Sequence, residues 1–293
     1  NQMADFLSGY SIQSWLQSCP QGYLENTDFG HPAGEKEPEE LLDNETFRED
    51  AIRTTVQLVV GERAALAASS GLINAAPDVG SKMFLATQTL DEARHVEIFT
   101  QRLLDLGVKK DELESVINTY ANANLVKFAE VLLEKVDKQD FIAGVVGQNI
   151  VLEGMAFSVF EMMHATNEAA NPKFAHTLTG TIADERRHVG FGENRIGSLI
   201  KENPKRKPEI QKMQQEMTYH MLATFADSFK ANSDVVEQAQ DQASPDIKPA
   251  VYHGVDLNRA DATEMEAVLA DTVLGEFKTR LGRIGLEYLS PAA

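Results

Sequence analysis

The feature that most constrains this chain is a five-residue pattern used twice. Asp91-Glu92-Ala93-Arg94-His95 and Asp184-Glu185-Arg186-Arg187-His188 both read Asp-Glu-x-Arg-His, and both lie inside stretches with helical apolar spacing. A Glu and a His three positions apart share one helix face, so each copy can present one carboxylate and one imidazole to the same bundle interior. One such pair arises often by chance on a charged helix surface. Two copies embedded among apolar residues demand partners, and each has a glutamate on the preceding helical stretch. Glu62 lies 30 residues before Glu92, within Leu58-Val59-Val60-Gly61-Glu62-Arg63-Ala64-Ala65-Leu66, and Glu153 lies 32 residues before Glu185, within Ile150-Val151-Leu152-Glu153-Gly154-Met155-Ala156-Phe157. An unpaired carboxylate in so apolar a stretch is costly to bury. Its structural alternative is an ion pair with an arginine.

Four carboxylates and two imidazoles, with no thiolate, form a hard oxygen and nitrogen donor set that suits iron or manganese better than structural zinc. The charges of Glu62, Glu92, Glu153 and Glu185 nearly balance two divalent ions. Without cations the same carboxylates repel one another. Asp91 and Asp184 are expected to accept the remaining N–H of the opposite motif's histidine, against the alternative of ordinary surface charge; Arg94 and Arg187 read equally well as neutralising partners or as surface residues.

The pattern along the chain predicts an all-α architecture. The residues before 46 carry Gly22, Gly30, Pro32, Gly34 and Pro38 and read as an irregular N-terminal arm (1–45) with one short helix around Ile12–Gln17. Helices are expected over Thr46–Ala75, Asp78–Leu106, Lys110–Lys135, Asp137–Asn167, Pro172–Glu202, Pro208–Lys230 and Arg259–Tyr288, with an extended connection at Ser244–Gly254. The whole of 46–293 reads as one helical domain with its metal-binding core at about 46–203.

Composition adds exclusions. With 45 acidic against 27 basic residues and a formal charge of −18, nonspecific binding to nucleic acid or anionic lipid is disfavoured. No stretch reads as the roughly 20 apolar residues that span a bilayer. The single Cys19 precludes an internal disulfide, and no signal-peptide pattern is legible in Asn1 to Leu42, so a cytoplasmic location is expected.

These residues resemble the ferritin-like dimetal-carboxylate superfamily, in particular the ribonucleotide reductase small-subunit group and the related ligand-binding oxidases. The resemblance rests on Asp91 to Phe99, on Asp184 to Gly192 and on Glu153-Gly154. It covers about Thr46 to Lys201. It implies a ferritin-like four-helix bundle with extra C-terminal helices, and Glu62, Glu92, His95, Glu153, Glu185 and His188 as ligands to two metal ions per chain, Fe/Fe or Mn/Fe. It further implies dioxygen as co-substrate, an electron donor, a small-molecule substrate and a homodimer. The sequence departs from the pattern at Phe99, where radical-forming subunits carry a tyrosine, at Ala64 and Gln148, where the ligand-binding oxidases carry a cross-linked valine and tyrosine, and at Phe157, where bacterial multicomponent monooxygenases carry a threonine.

The expected function is therefore an oxidoreductase that uses dioxygen to oxidise or hydroxylate a largely apolar organic substrate. Two alternatives stand beside it: an oxidant-generating subunit acting on a protein partner, and a non-catalytic iron-binding or ferroxidase protein. Met155, Phe157, Phe160 and Met162 read first as core packing and second as the lining of an apolar cavity. His164, His176, His220 and His253 lack partner carboxylate patterns and are assigned no role.

Overall fold

The computed structural model describes residues 30–242 and 249–289; the expected helix at Ile12–Gln17 and the residues around Cys19 lie outside them. In chain order the helices are α1 (Glu39–Asp43), α2 (Glu45–Ala75), α3 (Val79–Asp105), α4 (Leu113–Tyr120), α5 (Ala123–Asp137), α6 (Phe141–Val145), α7 (Glu153–Ala170), α8 (Pro172–Glu202), α9 (Lys207–Gln242), α10 (Ala262–Leu269) and α11 (Gly275–Arg283). A π-helical segment, Val146–Leu152, joins α6 to α7, and a second, Ala270–Leu274, joins α10 to α11. Two short strands, β1 (Val251–Tyr252) and β2 (Val255–Asp256), pair antiparallel in the connection expected to be extended, turning at His253 and Gly254, both with positive φ.

The long helices start and stop where side chains satisfy their ends. Asn44 caps α2 by accepting from Phe47 N at 3.1 Å, Asp78 caps α3 by accepting from Ser81 N at 2.8 Å, and Asn171 caps α8 by accepting from Phe174 N at 3.1 Å, with Pro172 in its first turn. Gly107 ends α3 at φ 96°, a conformation open to glycine without strain.

Two expectations are corrected here. The helix expected over Lys110–Lys135 is broken at Asn122, whose side chain accepts from Asn124 N and Leu125 N and so starts a new helix. The helix expected from Asp137 begins instead at Phe141: Asp137 closes α5, Gln139 turns the chain with φ 58°, and Asp140 is the cap. The membrane reading also needs correction. Glu45–Ala75 and Phe141–Ala170 are both long and apolar enough to cross a bilayer, but most of the second is buried inside this bundle.

Helices α2, α3, α7 and α8 form the bundle, packed as two hairpins, α2 on α3 and α7 on α8. The core divides into two apolar layers. One contains Ala65, Ala68 and Leu72 of α2, Phe84 and Leu85 of α3, Met155 of α7, and Phe191 and Ile196 of α8. The other contains Val56 and Val59 of α2, Ile98, Phe99 and Leu103 of α3, Phe160 of α7, and Phe174 and Leu178 of α8. On α2, α3 and α8 the stretch left between the layers carries Glu62, then Glu92 and His95, then Glu185 and His188, and on α7 Glu153 opens the helix beside Met155. Helices α5 and α9 cover the outside of α2 and the first π segment. At one end of the bundle a buried cluster ties the segment before α1 to α3 and α8: Arg102 donates to Glu37 at 3.1 Å and to Thr55 at 2.7 Å, Asn171 donates to Glu37 at 2.5 Å, and the guanidinium lies 3.6 Å from the Phe174 ring centre.

Candidate metal centre

The six residues singled out by the sequence converge in one buried cluster. Glu62, Glu92, His95 and Glu185 offer ligand atoms that all lie within 4.8 Å of one another, and so do Glu92, Glu153, Glu185 and His188; Glu92 and Glu185 belong to both groups. The Nδ1 of His95 lies 3.3 Å from Glu62, 3.4 Å from Glu92 and 3.5 Å from Glu185. The Nδ1 of His188 lies 3.3 Å from Glu92, 3.6 Å from Glu153 and 3.9 Å from Glu185. Both imidazoles therefore turn the same nitrogen towards the carboxylates.

The opposite nitrogens are held crosswise. His95 Nε2 meets Asp184 at 3.0 Å and His188 Nε2 meets Asp91 at 3.0 Å, so the aspartate beside each motif orients the histidine of the other. With Nε2 donating its hydrogen, Nδ1 carries the lone pair, the arrangement a histidine ligand needs. Arg94 bonds Asp91 at 2.6 Å and Asp184 at 3.2 Å; Arg187 bonds Asp184 at 2.6 Å and Asp91 at 2.9 Å. Two aspartates and two arginines thus form a charge-balanced ring that joins α3 to α8 outside the histidines.

Two contributors were missed from sequence. Gln88 donates to Glu153 at 2.7 Å and to Glu92 at 3.2 Å, and Asn149 donates to the Gln88 side-chain Oε1 at 2.9 Å, to the His188 backbone carbonyl at 3.1 Å and to Glu153 at 3.3 Å. Each lies one turn before a cluster glutamate and is fully buried, and that i, i+4 spacing was the one signal the sequence offered. Gln148 points the other way, donating to Ala65 O at 3.0 Å and Ser69 Oγ at 2.5 Å.

Burial dominates the electrostatics. It pushes the Glu62 carboxyl up to about 7 against the pull of His95. It drives Glu153 well above the usual carboxylate range with the repulsion of Glu185 and Glu92, and Glu185 likewise with that of Glu92 and Glu62. Burial also acts on Glu92, but His188 and His95 outweigh it and hold that carboxyl low; on His95 it is outweighed by Glu62 and Asp184, which hold the imidazole well above its usual value. Four acids crowded into a dry interior resist carrying four charges unless cations share the site. Glu92 Oε2, Glu185 Oε2 and His188 Nδ1 are buried without a hydrogen-bond partner. Orphaned hard donors in two overlapping groups fit a pair of divalent first-row ions.

A cavity of about 360 Å³ opens beside the cluster, lined at that end by Gly61, Glu62, Leu152, Glu153 and Glu185 and farther out by Phe160, Met162 and Met163. Phe160 and Met162 thus line it, whereas Met155 is core and Phe157 lies 5.0 Å beneath the Arg280 guanidinium. Phe99 is fully buried and stacks on Phe160 with centroids 6.1 Å apart.

The four helices form an all-α, ferritin-like bundle with a buried cluster of carboxylates and histidines at its centre. Among solved structures, an R2-like ligand-binding oxidase with aerobically reconstituted Mn/Fe cofactor superposes with a TM-score of 0.69 at 18% identity over 84% of each chain. Its V72L mutant gives 0.63 at 18% identity over 83% of this chain and 82% of that one. A protein with aldehyde deformylating oxidase activity from Synechococcus gives 0.59 at 16% identity over 84% of this chain and 94% of its own. No protein-family model matches the sequence, and no curated protein sequence does.

Proposed function

We propose that this chain is a dimetal oxidase that holds Fe/Fe or Mn/Fe between Glu62, Glu92, His95, Glu153, Glu185 and His188 and uses dioxygen, with electrons from an external donor, to oxidise or hydroxylate a largely apolar molecule. The observation that carries it is the pair of overlapping donor groups with both histidines oriented by the opposite motif's aspartate. The oxidase names of the structurally similar proteins support the class of reaction. Bound there, the metals would supply redox capacity and a Lewis-acidic site for dioxygen.

The chain's own residues set the conditions. Asp91 and Asp184 fix the imidazole orientation; Gln88 and Asn149 hold Glu153; the apolar cavity walls exclude water and seat the substrate against Glu62, Glu153 and Glu185. A role in passing oxidising equivalents to a protein partner is disfavoured by Phe99, which cannot store a radical as a tyrosine does. The same reading includes a homodimer, to be checked by solution mass.

Metal analysis followed by anaerobic reduction and re-exposure to oxygen, monitored by absorption and electron paramagnetic resonance, tests the proposal on the wild type and Glu153→Ala. About two metals per chain and an oxygen-dependent transient lost in the variant are expected. Stoichiometric metal with no oxygen reactivity would leave a binding role only, and absence of metal would overturn the assignment.

A further inference from the structure

Seven threonines are buried among the described residues, and six of them satisfy their hydroxyls in one way. Thr55, Thr87, Thr177, Thr218, Thr224 and Thr272 each donate to a backbone carbonyl three or four residues earlier in the chain, at 2.6 to 2.9 Å. A helical threonine needs no partner from another element when it bonds back in this manner. The seventh, Thr181 of α8, does not bond back. It is 1% exposed, and its Oγ1 is buried without a hydrogen-bond partner. A buried hydroxyl left in that state is costly.

Thr181 stands on the face of α8 that carries the two cluster residues after it. At about 100° per residue it lies about 40° from Glu185 and about 20° from His188 around the helix. Along the helix it falls between Leu178 of the apolar layer and Glu185, one turn on. Helical side chains lean towards the N-terminus of their helix, so the Glu185 carboxylate extends back over the turn that carries Thr181. The Glu185 oxygen nearest both histidines is Oε1. Its other oxygen, Oε2, has no hydrogen-bond partner either, so the two orphaned groups do not bond each other.

Thr181 is not part of the cavity wall. To that wall α8 contributes only Glu185 and α3 contributes nothing; the rest comes from α2, α7, α9, α10 and the start of α5. Glu185 therefore meets two different surroundings, the apolar cavity and a hydroxyl of its own helix that lies off the cavity wall. A threonine hydroxyl donates once and accepts twice. It suits a solvent molecule, which is held in a closed interior only by two or more polar partners.

From these observations we infer that Thr181 is a positioning residue of the metal centre. When the cluster is loaded, its hydroxyl holds a solvent molecule against Glu185, off the cavity wall, and so leaves the cavity side of the centre for dioxygen and substrate. Thr181 itself ligates no metal; it acts through the solvent molecule and Glu185. This role rests on the dimetal reading. The orphaned hydroxyl of the metal-free protein does not.

Two variants of the full chain test this: Thr181→Val keeps the shape and removes the hydroxyl, and Thr181→Ser keeps the hydroxyl. Stripped of metal, Thr181→Val is expected to be at least as stable as the wild type by denaturant midpoint, because a methyl group replaces an unpartnered hydroxyl. With Mn(II) as the probe ion, competitive chelation should give an affinity about tenfold weaker in Thr181→Val and within about twofold of the wild type in Thr181→Ser. Electron nuclear double resonance of the Mn-loaded protein in light and heavy water should show an exchangeable-proton signal that Thr181→Val loses and Thr181→Ser keeps. A valine variant destabilised when metal-free would put the hydroxyl on a protein partner and overturn the inference. So would a valine variant that binds Mn(II) as the wild type does with an unchanged proton signal. Wild type that takes up no Mn(II) would instead overturn the dimetal reading, and the role of Thr181 with it.

Discussion

The two halves of the bundle carry the same five-residue motif and hold their upstream glutamates differently. In the first half Glu62 sits in the middle of α2, an unbroken α-helix, next to a glycine with empty space above it, and its carboxylate meets His95. In the second half Glu153 follows a π segment buried along its whole length and accepts from the amides of Gln88 and Asn149. The packing behind the glutamates differs in the same sense: a Cβ on Gly192, one turn after His188, would lie 2.5 Å from the Asn149 Cβ. Both glutamates border the cavity, but one is held by two side-chain amides and the other by a histidine beside an unpacked glycine. Repetition in sequence thus produces a site whose two upstream glutamates have different surroundings.

The sharpest way to break the comparison is to remove what the halves share. Glu185 belongs to both donor groups, so Glu185→Ala is expected to abolish stoichiometric binding of both ions, whereas His95→Ala should spare the group around His188. Metal analysis after dialysis decides. The crossed aspartates come next. Asp184→Asn should weaken the His95 group and Asp91→Asn the His188 group, each by about 10–100-fold in metal affinity, read by competitive chelation; equal weakening of both groups by either variant would mean that the two act as one. The last pair makes the same substitution in each half with opposite signs expected. Gly192→Ala should cost about 1–3 kcal/mol because Asn149 must give way. Gly61→Ala should raise stability by about 0.5–1 kcal/mol. Both are read from denaturant midpoints at constant m.

The bundle and the cluster were legible because both follow from helical periodicity. Glu and His three apart must share a face, and a glutamate within Ile-Val-Leu-Glu-Gly-Met must be paired or ligated. The crossing of Asp91 and Asp184 onto opposite histidines was also within reach, since two motifs facing one interior bring each aspartate to its neighbour's ring. What stayed hidden depends on contacts rather than period. The break at Asn122 arises from a side chain competing with the helix backbone for two N–H groups. The π segment before Glu153 shares its apolar composition with an α-helix and is set by packing, including the approach of α8 at Gly192. Gln88 and Asn149 are ordinary polar residues until the fold places them against Glu153.

A π turn holds one more residue than the α turn it replaces, so the stretch Val146–Leu152 can be regarded as an α-helix carrying an insertion. Residues on the two sides of such an insertion are out of phase by about 100° relative to a continuous helix. Deleting a single residue there would restore a regular helix and force a choice: keep Gln148 and Asn149 on their partners, or keep Glu153 facing His188. A lineage could thus discard this site through the loss of one codon without altering any of the six residues that build it.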